Sequence, residues 1–251
     1  MDYYLGGYFL IKIRPISFGS LENRSVFTCS SCINDTLLDD WSYSWTTDNN
    51  KGISAIKKDL GLNTDAIESI REWTDVKYDD EKSIGWGDVF FDADTAKDYY
   101  TTYFSHLDDI KLFALYFDEK EAQEIINEFN PTDSSQGLIG LVDSLKRKIS
   151  ENDRDGETTV GYDLIGIELG GNFHSFHCHD LSNELATKFK LSFNANGLFD
   201  NTVNWDAVVE YMNDEDNGFE PVPWFLAKVK LVHSFETPKL SASLGSAITR
   251  D

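Results

Sequence analysis

Positive charge is what this 251-residue chain has least of: 22 Lys and Arg stand against 44 Asp and Glu, a formal net charge of −22. A protein that grips duplex nucleic acid normally carries a basic face, so direct binding of DNA or RNA is not expected. No apolar run approaches the ~18–20 residues a membrane-spanning helix needs. The amino-terminus also lacks the basic, apolar and small-residue order of a signal peptide. Cysteine is scarce: Cys29 and Cys32 form a CxxC and Cys178 stands alone, an odd count unlike a secreted disulfide framework. A cytoplasmic location is the expectation. Familiar enzyme signatures are missing too, with no GxSxG, GxxxxGK[ST], HExxH or dinucleotide GxGxxG. What the chain does have is apolar content, 41% hydrophobic and 14% aromatic, which excludes disorder and supplies a core.

The order of elements follows from periodicity and punctuation. Tyr3 to Ile13 is β-branched and aromatic, Pro15 ends it, and Gly6-Gly7 marks a bulge or bend. Residues 17–50 read as irregular. Ile53–Leu60 and Asp65–Trp73 are expected as short helices joined at Gly61, with Thr64 as an N-cap. Then come a strand at Gly85–Phe91, a helix at Ala93–Phe104, a strand at Ile110–Phe117, and helices at Glu119–Phe129 and Leu138–Ile149 separated by Pro131. The polar run Glu151–Glu157 suits a mobile loop or a boundary. After it Tyr162–Leu169 alternates, Gly170-Gly171 signals a turn, and Asn172–His179 returns as a hairpin partner. Helices at Ser182–Lys190 and Asn204–Met212, a strand at Pro223–His233 and a loosely ordered tail, 236–251, complete the reading. Interspersed helices with a hairpin as the strongest connection predict an α+β fold, with a mostly antiparallel or mixed sheet and helices packed on it. Residues 1–251 are expected as one acidic domain, with subdivision near 151–157 as the alternative.

Two constellations suggest chemistry. His174, His177, Cys178 and His179 crowd one segment, and on a strand His177 and His179 would share one face, His174 and Cys178 the other. Cys29 and Cys32 with two of these would give the four nitrogen and sulfur ligands that zinc takes. The competing reading is a strand of packed imidazoles with Asp180 capping the next helix, so no metal and no cofactor is the expectation. Asp92-Ala93-Asp94-Thr95, after an apolar strand, resembles the first motif of haloacid-dehalogenase-type phosphatases, which implies Asp92 as nucleophile and Asp94 as acid/base. The later acidic pair of that family is missing, and either Asp also serves as a helix cap. A metal-dependent hydrolase built on these residues is therefore the alternative function, and no catalytic residue is assigned.

The acid itself is clustered, and aromatic residues lie beside it. Asp39-Asp40 precede Trp41, Tyr43 and Trp45; Tyr78 precedes Asp79-Asp80-Glu81; Phe219 and Trp224 flank Asp214-Glu215-Asp216. Charge that steers association together with aromatic anchors suits a tight interface with a basic protein. Core packing is the expectation for Trp73 and Trp86. The partner-binding residues predicted are Asp39, Asp40, Trp41, Tyr43, Asp79, Asp80, Glu81, Asp214, Glu215 and Asp216.

The stretch Tyr162–Gly171 through His174–Leu181, with Glu220-Pro221-Val222-Pro223-Trp224, resembles the bacterial toxin-immunity proteins of contact-dependent growth inhibition and related polymorphic toxin systems. The resemblance covers about the C-terminal third, with support from Tyr3–Ile13. It implies an intracellular protein that neutralises one cognate toxin domain, often a nuclease, in a one-to-one complex, and it carries over no site residues. Charge points the same way, because a nuclease must hold phosphates in a basic cleft that an acidic protein can occupy. A non-catalytic inhibitor of a basic toxin, a ribonuclease before a DNase, is the function expected.

Overall fold

The computed structural model describes residues 2–18, 21–38, 58–80, 82–129, 140–178, 182–200 and 204–233. The strands are β1 (Tyr3–Lys12), β2 (Pro15–Phe18), β3 (Leu21–Ser25), β4 (Asp35–Thr36), β5 (Ile84–Gly85), β6 (Val89–Phe90), β7 (Ile110–Asp118), β8 (Glu157–Ile167), β9 (Phe173–Ser175) and β10 (Trp224–Val232). The helices of the described residues are α1 (Thr64–Asp79), α2 (Ala93–Tyr103), α3 (Glu119–Phe129), α4 (Gly140–Lys146), α5 (Ser182–Phe189) and α6 (Trp205–Met212). Most of the helix expected at Ile53–Leu60, the 236–251 tail and the start of the helix expected at Leu138 lie outside the described residues.

Both faces of one large sheet are covered, and this explains its sequence. The strand order is β5-β6-β1-β7-β10-β8-β9, with β4 on the end of β1, and every pairing is antiparallel. The fold is α+β. Along β7, Phe113, Leu115 and Phe117 pack with Ala122, Ile125 and Phe129 of α3 and Leu141, Val142 and Leu145 of α4. The alternate residues Leu112, Ala114 and Tyr116 pack with Ile67 and Ile70 of α1 and Tyr99 of α2. A strand buried on both sides reads as a continuous apolar run, as β1 and β7 do. Each such side chain contributes roughly 1.5–3 kcal/mol on burial. Beyond β10 a third cluster forms, with α5 and α6 closing over Tyr162, Leu164, Phe199 and Trp224. No described helix is long and apolar enough to cross a membrane.

Local chemistry explains where elements start and bend. The bulge expected at Gly6-Gly7 is present: the register of β1 on β7 shifts between Leu5 and Gly7. Gly7 has φ 140°, and a Cβ there would lie 2.4 Å from Val89 Cγ1. The cap of α1 is Asn63, whose side chain accepts the Ala66 N–H at 2.9 Å; Thr64 is the first helical residue. The strand expected over Gly85–Phe91 is a tight hairpin instead, because Gly87 (φ 83°) and Asp88 (φ 64°) both take left-handed backbone and reverse the chain between β5 and β6. The expected return strand Asn172–His179 stops at Ser175, and Phe176–Cys178 forms a 3-10 turn. Residues Glu151–Asp153 form a 3-10 turn before β8; on either side of this segment the strands belong to one sheet, since β10 pairs with both β7 and β8, and Glu151 holds Lys228 at 2.9 Å and Lys230 at 3.5 Å.

One buried carboxyl makes stability depend on pH. Glu121 in the first turn of α3 is 7% exposed, and its Oε2 accepts the Leu226 N–H at 3.3 Å. Burial pushes it up from 4.5 to about 7. The folded state therefore holds this proton more tightly than the unfolded one. The resulting stabilisation is complete below pH ~4.5 and is lost as pH rises through about 7. Glu121→Gln imitates the protonated form and keeps the carbonyl acceptor. It is expected to gain about 3 kcal/mol over the parent at pH 8 and almost nothing at pH 4, read by urea denaturation at both values. An equal effect at the two pH values would contradict this account.

Candidate functional site

The sequence-predicted partner residues fall in three places. Asp39, Asp40, Trp41, Tyr43 and Glu81 lie outside the described residues. Asp79 ends α1, and Asp80 follows it with its carboxylate engaged in a turn: it accepts the N–H groups of Lys82 (2.8 Å) and Ser83 (3.0 Å) and the Ser83 hydroxyl (2.8 Å). Tyr78 stacks on Trp86 with ring centroids 5.6 Å apart. Trp86 corrects the core expectation, since it is 53% exposed at the rim of a cavity of about 380 Å³ that Phe91 and Arg147 also line. Trp73, as expected, packs against Tyr99.

Asp214, Glu215 and Asp216 are all exposed, and Asp214 caps its own turn by accepting the Asp216 N–H at 3.1 Å. Their flanking aromatics are not surface anchors: Phe219 and Trp224 are buried in the third core cluster. The acid continues along the chain on both sides of the turn. Asp200, Asp206, Glu210, Asp214, Glu215, Asp216 and Glu220 are all exposed, and no Lys or Arg occurs from Leu191 to Ala227. Two cations reach this surface from neighbouring helices, Lys120 to Asp206 at 3.1 Å and Lys188 over the Tyr211 ring at 3.5 Å. Sequence density pointed to the 214–216 turn alone; α6 adds Asp206 and Glu210 to it, and Asp200 precedes that helix.

The cysteines and histidines sort differently from the CxxC reading. Val26, Thr28, Cys29 and Ser30 are buried, and Asn34 holds this segment by donating to the carbonyls of Val26 (2.9 Å) and Thr28 (2.8 Å). Cys29 is therefore a core residue. Turn hydrogen bonds from Ile33 and Asn34 to the Ser30 carbonyl reverse the chain and leave Cys32 exposed. His177 points inward to the Gly197 carbonyl at 2.6 Å, and His179 lies outside the described residues. His174 and Cys178 do fall together, because the 3-10 turn after β9 carries Cys178 back toward His174 and Cys32. The Cys32 Sγ, His174 Nδ1/Nε2 and Cys178 Sγ ligand atoms all lie within 4.8 Å of one another.

Electrostatics in this triangle are strongly perturbed. The hydrogen bond from Cys178, then those from Ser30 and His174, hold the Cys32 thiol down at about 5 in spite of its partial burial. Cys178 moves up, as the donor to that sulfur and as a buried group. Burial pulls His174 down, but Cys32 and Glu168 outweigh it and raise the imidazole. Beneath the triangle lies a buried network that the sequence did not signal. Asp163 on β8 accepts the hydroxyls of Thr28 (2.5 Å) and Ser175 (2.9 Å) and the Phe176 N–H. It is 1% exposed.

Asp92 is occupied structurally, as the cap of α2: its carboxylate accepts the Thr95 N–H at 2.7 Å and the Thr95 hydroxyl at 2.8 Å. Asp94 is exposed in the first turn of that helix. The antiparallel sheet also differs from the parallel frame in which the phosphatase motif works. No family model, curated protein or solved structure matches the chain.

Proposed function

We propose that the chain is an immunity-type protein of the cytoplasm that binds one cognate toxin domain, a basic nuclease and in the first place a ribonuclease, and blocks it without chemistry of its own. The observation that carries this reading is the segment from Asp200 to Glu220, where seven carboxylates are exposed, no Lys or Arg occurs in the segment itself, and two cations, Lys120 and Lys188, reach it from neighbouring helices. An enzyme that cleaves a polyanion needs a basic cleft. An acidic surface can enter that cleft or cover its approach, and it competes with the substrate for the same field. Suppressing a destructive enzyme demands nanomolar affinity or better, about −12 kcal/mol. The resemblance of residues 162–181 and 220–224 to toxin-immunity proteins supports the same reading.

The deciding experiment is calorimetry against the C-terminal domain of whatever large exported protein is encoded immediately upstream, at low and at moderate salt. A one-to-one complex at nanomolar affinity, weakening with salt and abolishing nuclease activity, is the expected result. Absence of binding at both salt concentrations removes the proposal.

A further inference from the structure

From the Cys32, His174 and Cys178 triangle we infer a zinc site, open at its fourth position to a water molecule, that ties the turn after Ser30 to the β8–β9 hairpin. The inference stands apart from the toxin-neutralising reading, since the site shares none of the carboxylates proposed to face the partner.

Two sulfurs and an imidazole nitrogen are the donor set that zinc prefers among the common divalent ions. With Zn–S of about 2.3 Å and Zn–N of about 2.05 Å, a tetrahedral site separates sulfur from nitrogen by about 3.6 Å. Cys32 Sγ lies 3.5 Å from His174 Nδ1. The outer contacts are also those of a ligand shell. His174 Nε2–H donates to Glu168 Oε1 at 2.9 Å, which leaves the Nδ1 lone pair directed at the Cys32 side, the arrangement that orients metal-bound histidines. The Ser175 N–H donates to Cys178 Sγ at 3.2 Å, and Ser30 Oγ lies 3.5 Å from the same sulfur, contacts that favour a thiolate there. The filled site holds two thiolates and a neutral imidazole around a 2+ ion, so it is electrically neutral, and zinc entry displaces whatever protons these ligands still carry. Cys32 is exposed, and the three protein ligands leave the fourth direction to solvent.

The test uses the full chain, reduced with a phosphine, stripped with a chelator, and titrated with zinc against a chromophoric competitor and with cobalt(II) by absorption. One zinc per chain is expected. The cobalt form should show the visible bands of a tetrahedral ion and a near-ultraviolet thiolate-to-metal band. Cys32→Ser should weaken zinc at least a hundredfold and reduce the thiolate band by about half. Glu168→Gln, which touches only His174, should weaken zinc about tenfold. Cys29→Ala, in the core, should leave the affinity unchanged. If Cys178→Ser does not fold, the cobalt spectrum of the parent chain and the exposed Cys32→Ser variant still decide the matter. No zinc uptake by the reduced chain, a cobalt spectrum without the thiolate band, or equal losses from Cys29→Ala and Cys32→Ser would each overturn the inference.

Discussion

Asp163→Ala is expected to lower the free energy of unfolding by about 3–5 kcal/mol, the summed cost of stranding three buried neutral donors. The reason is what it leaves behind. The Thr28 hydroxyl, the Ser175 hydroxyl and the Phe176 N–H all donate to this one carboxyl, and Thr28 and Ser175 are fully buried. A buried donor without an acceptor costs roughly 1–3 kcal/mol. Water cannot easily substitute, because Ile165 and Ile167 on the same face of β8 belong to the main core. Asp163→Asn retains one carbonyl acceptor, and the hydroxyls can rotate to accept from its amide, so its loss should be about half as large. Denaturant titration of the parent and both variants reads the series. An Ala variant within 1 kcal/mol of the parent would mean that these three donors find other partners.

Reversing charge at Asp214, Glu215 and Asp216 together by Lys is expected to weaken the complex with the proposed basic partner at least a hundredfold at low salt, about 3 kcal/mol. Most of the loss should appear in the association rate, and it should shrink as salt is raised, because long-range attraction is what the substitutions remove. All three side chains are exposed, and only Asp214 caps a turn, so the fold should lose about 1 kcal/mol and survive. The control is an equal charge change at Asp65, Glu68 and Glu72, which are exposed on α1. That triple should cost less than tenfold. Equal losses from the two triples would show that net charge alone matters and that the Asp200–Glu220 surface has no special place.

The sheet was legible because its strands are buried on both sides. Tyr3–Ile13, Ile110–Phe117 and Pro223–His233 could be read as strands from apolar runs alone, and all three line up in the middle of the sheet. The hairpin at β5–β6 was missed because Val89 and Phe90 lend their β character to neighbours; the Gly-Trp-Gly-Asp turn that reverses the chain was the stronger signal. Helix α1 runs to Asp79, past the expected end at Trp73, because Thr74 is buried and Tyr78 packs on the core and stacks on Trp86. The sulfur–imidazole triangle was only half legible. Periodicity placed His174 and Cys178 on one side, but Cys32 joins them across 142 residues of sequence, and CxxC spacing drew attention to Cys29, whose surroundings are apolar. Asp163 gave no signal at all: an Asp inside an apolar strand announces its partners only when the loop carrying Thr28 folds over it.

The position of β10 between β7 and β8 bears on how the chain is made. Strands β1 and β7 can pair once residue 118 has left the ribosome, and β8 and β9 once residue 175 has, but neither pair can join the other. Until Trp224–Val232 is available, two sheet fragments each present an open edge where β10 will sit, and such edges are where chains stick to one another. Synthesis at about 5–20 residues per second leaves both edges open for seconds. The centre of this sheet closes only when β10, the last strand of the described residues, emerges, so the growing chain passes through an interval in which its two open edges can pair with those of other copies.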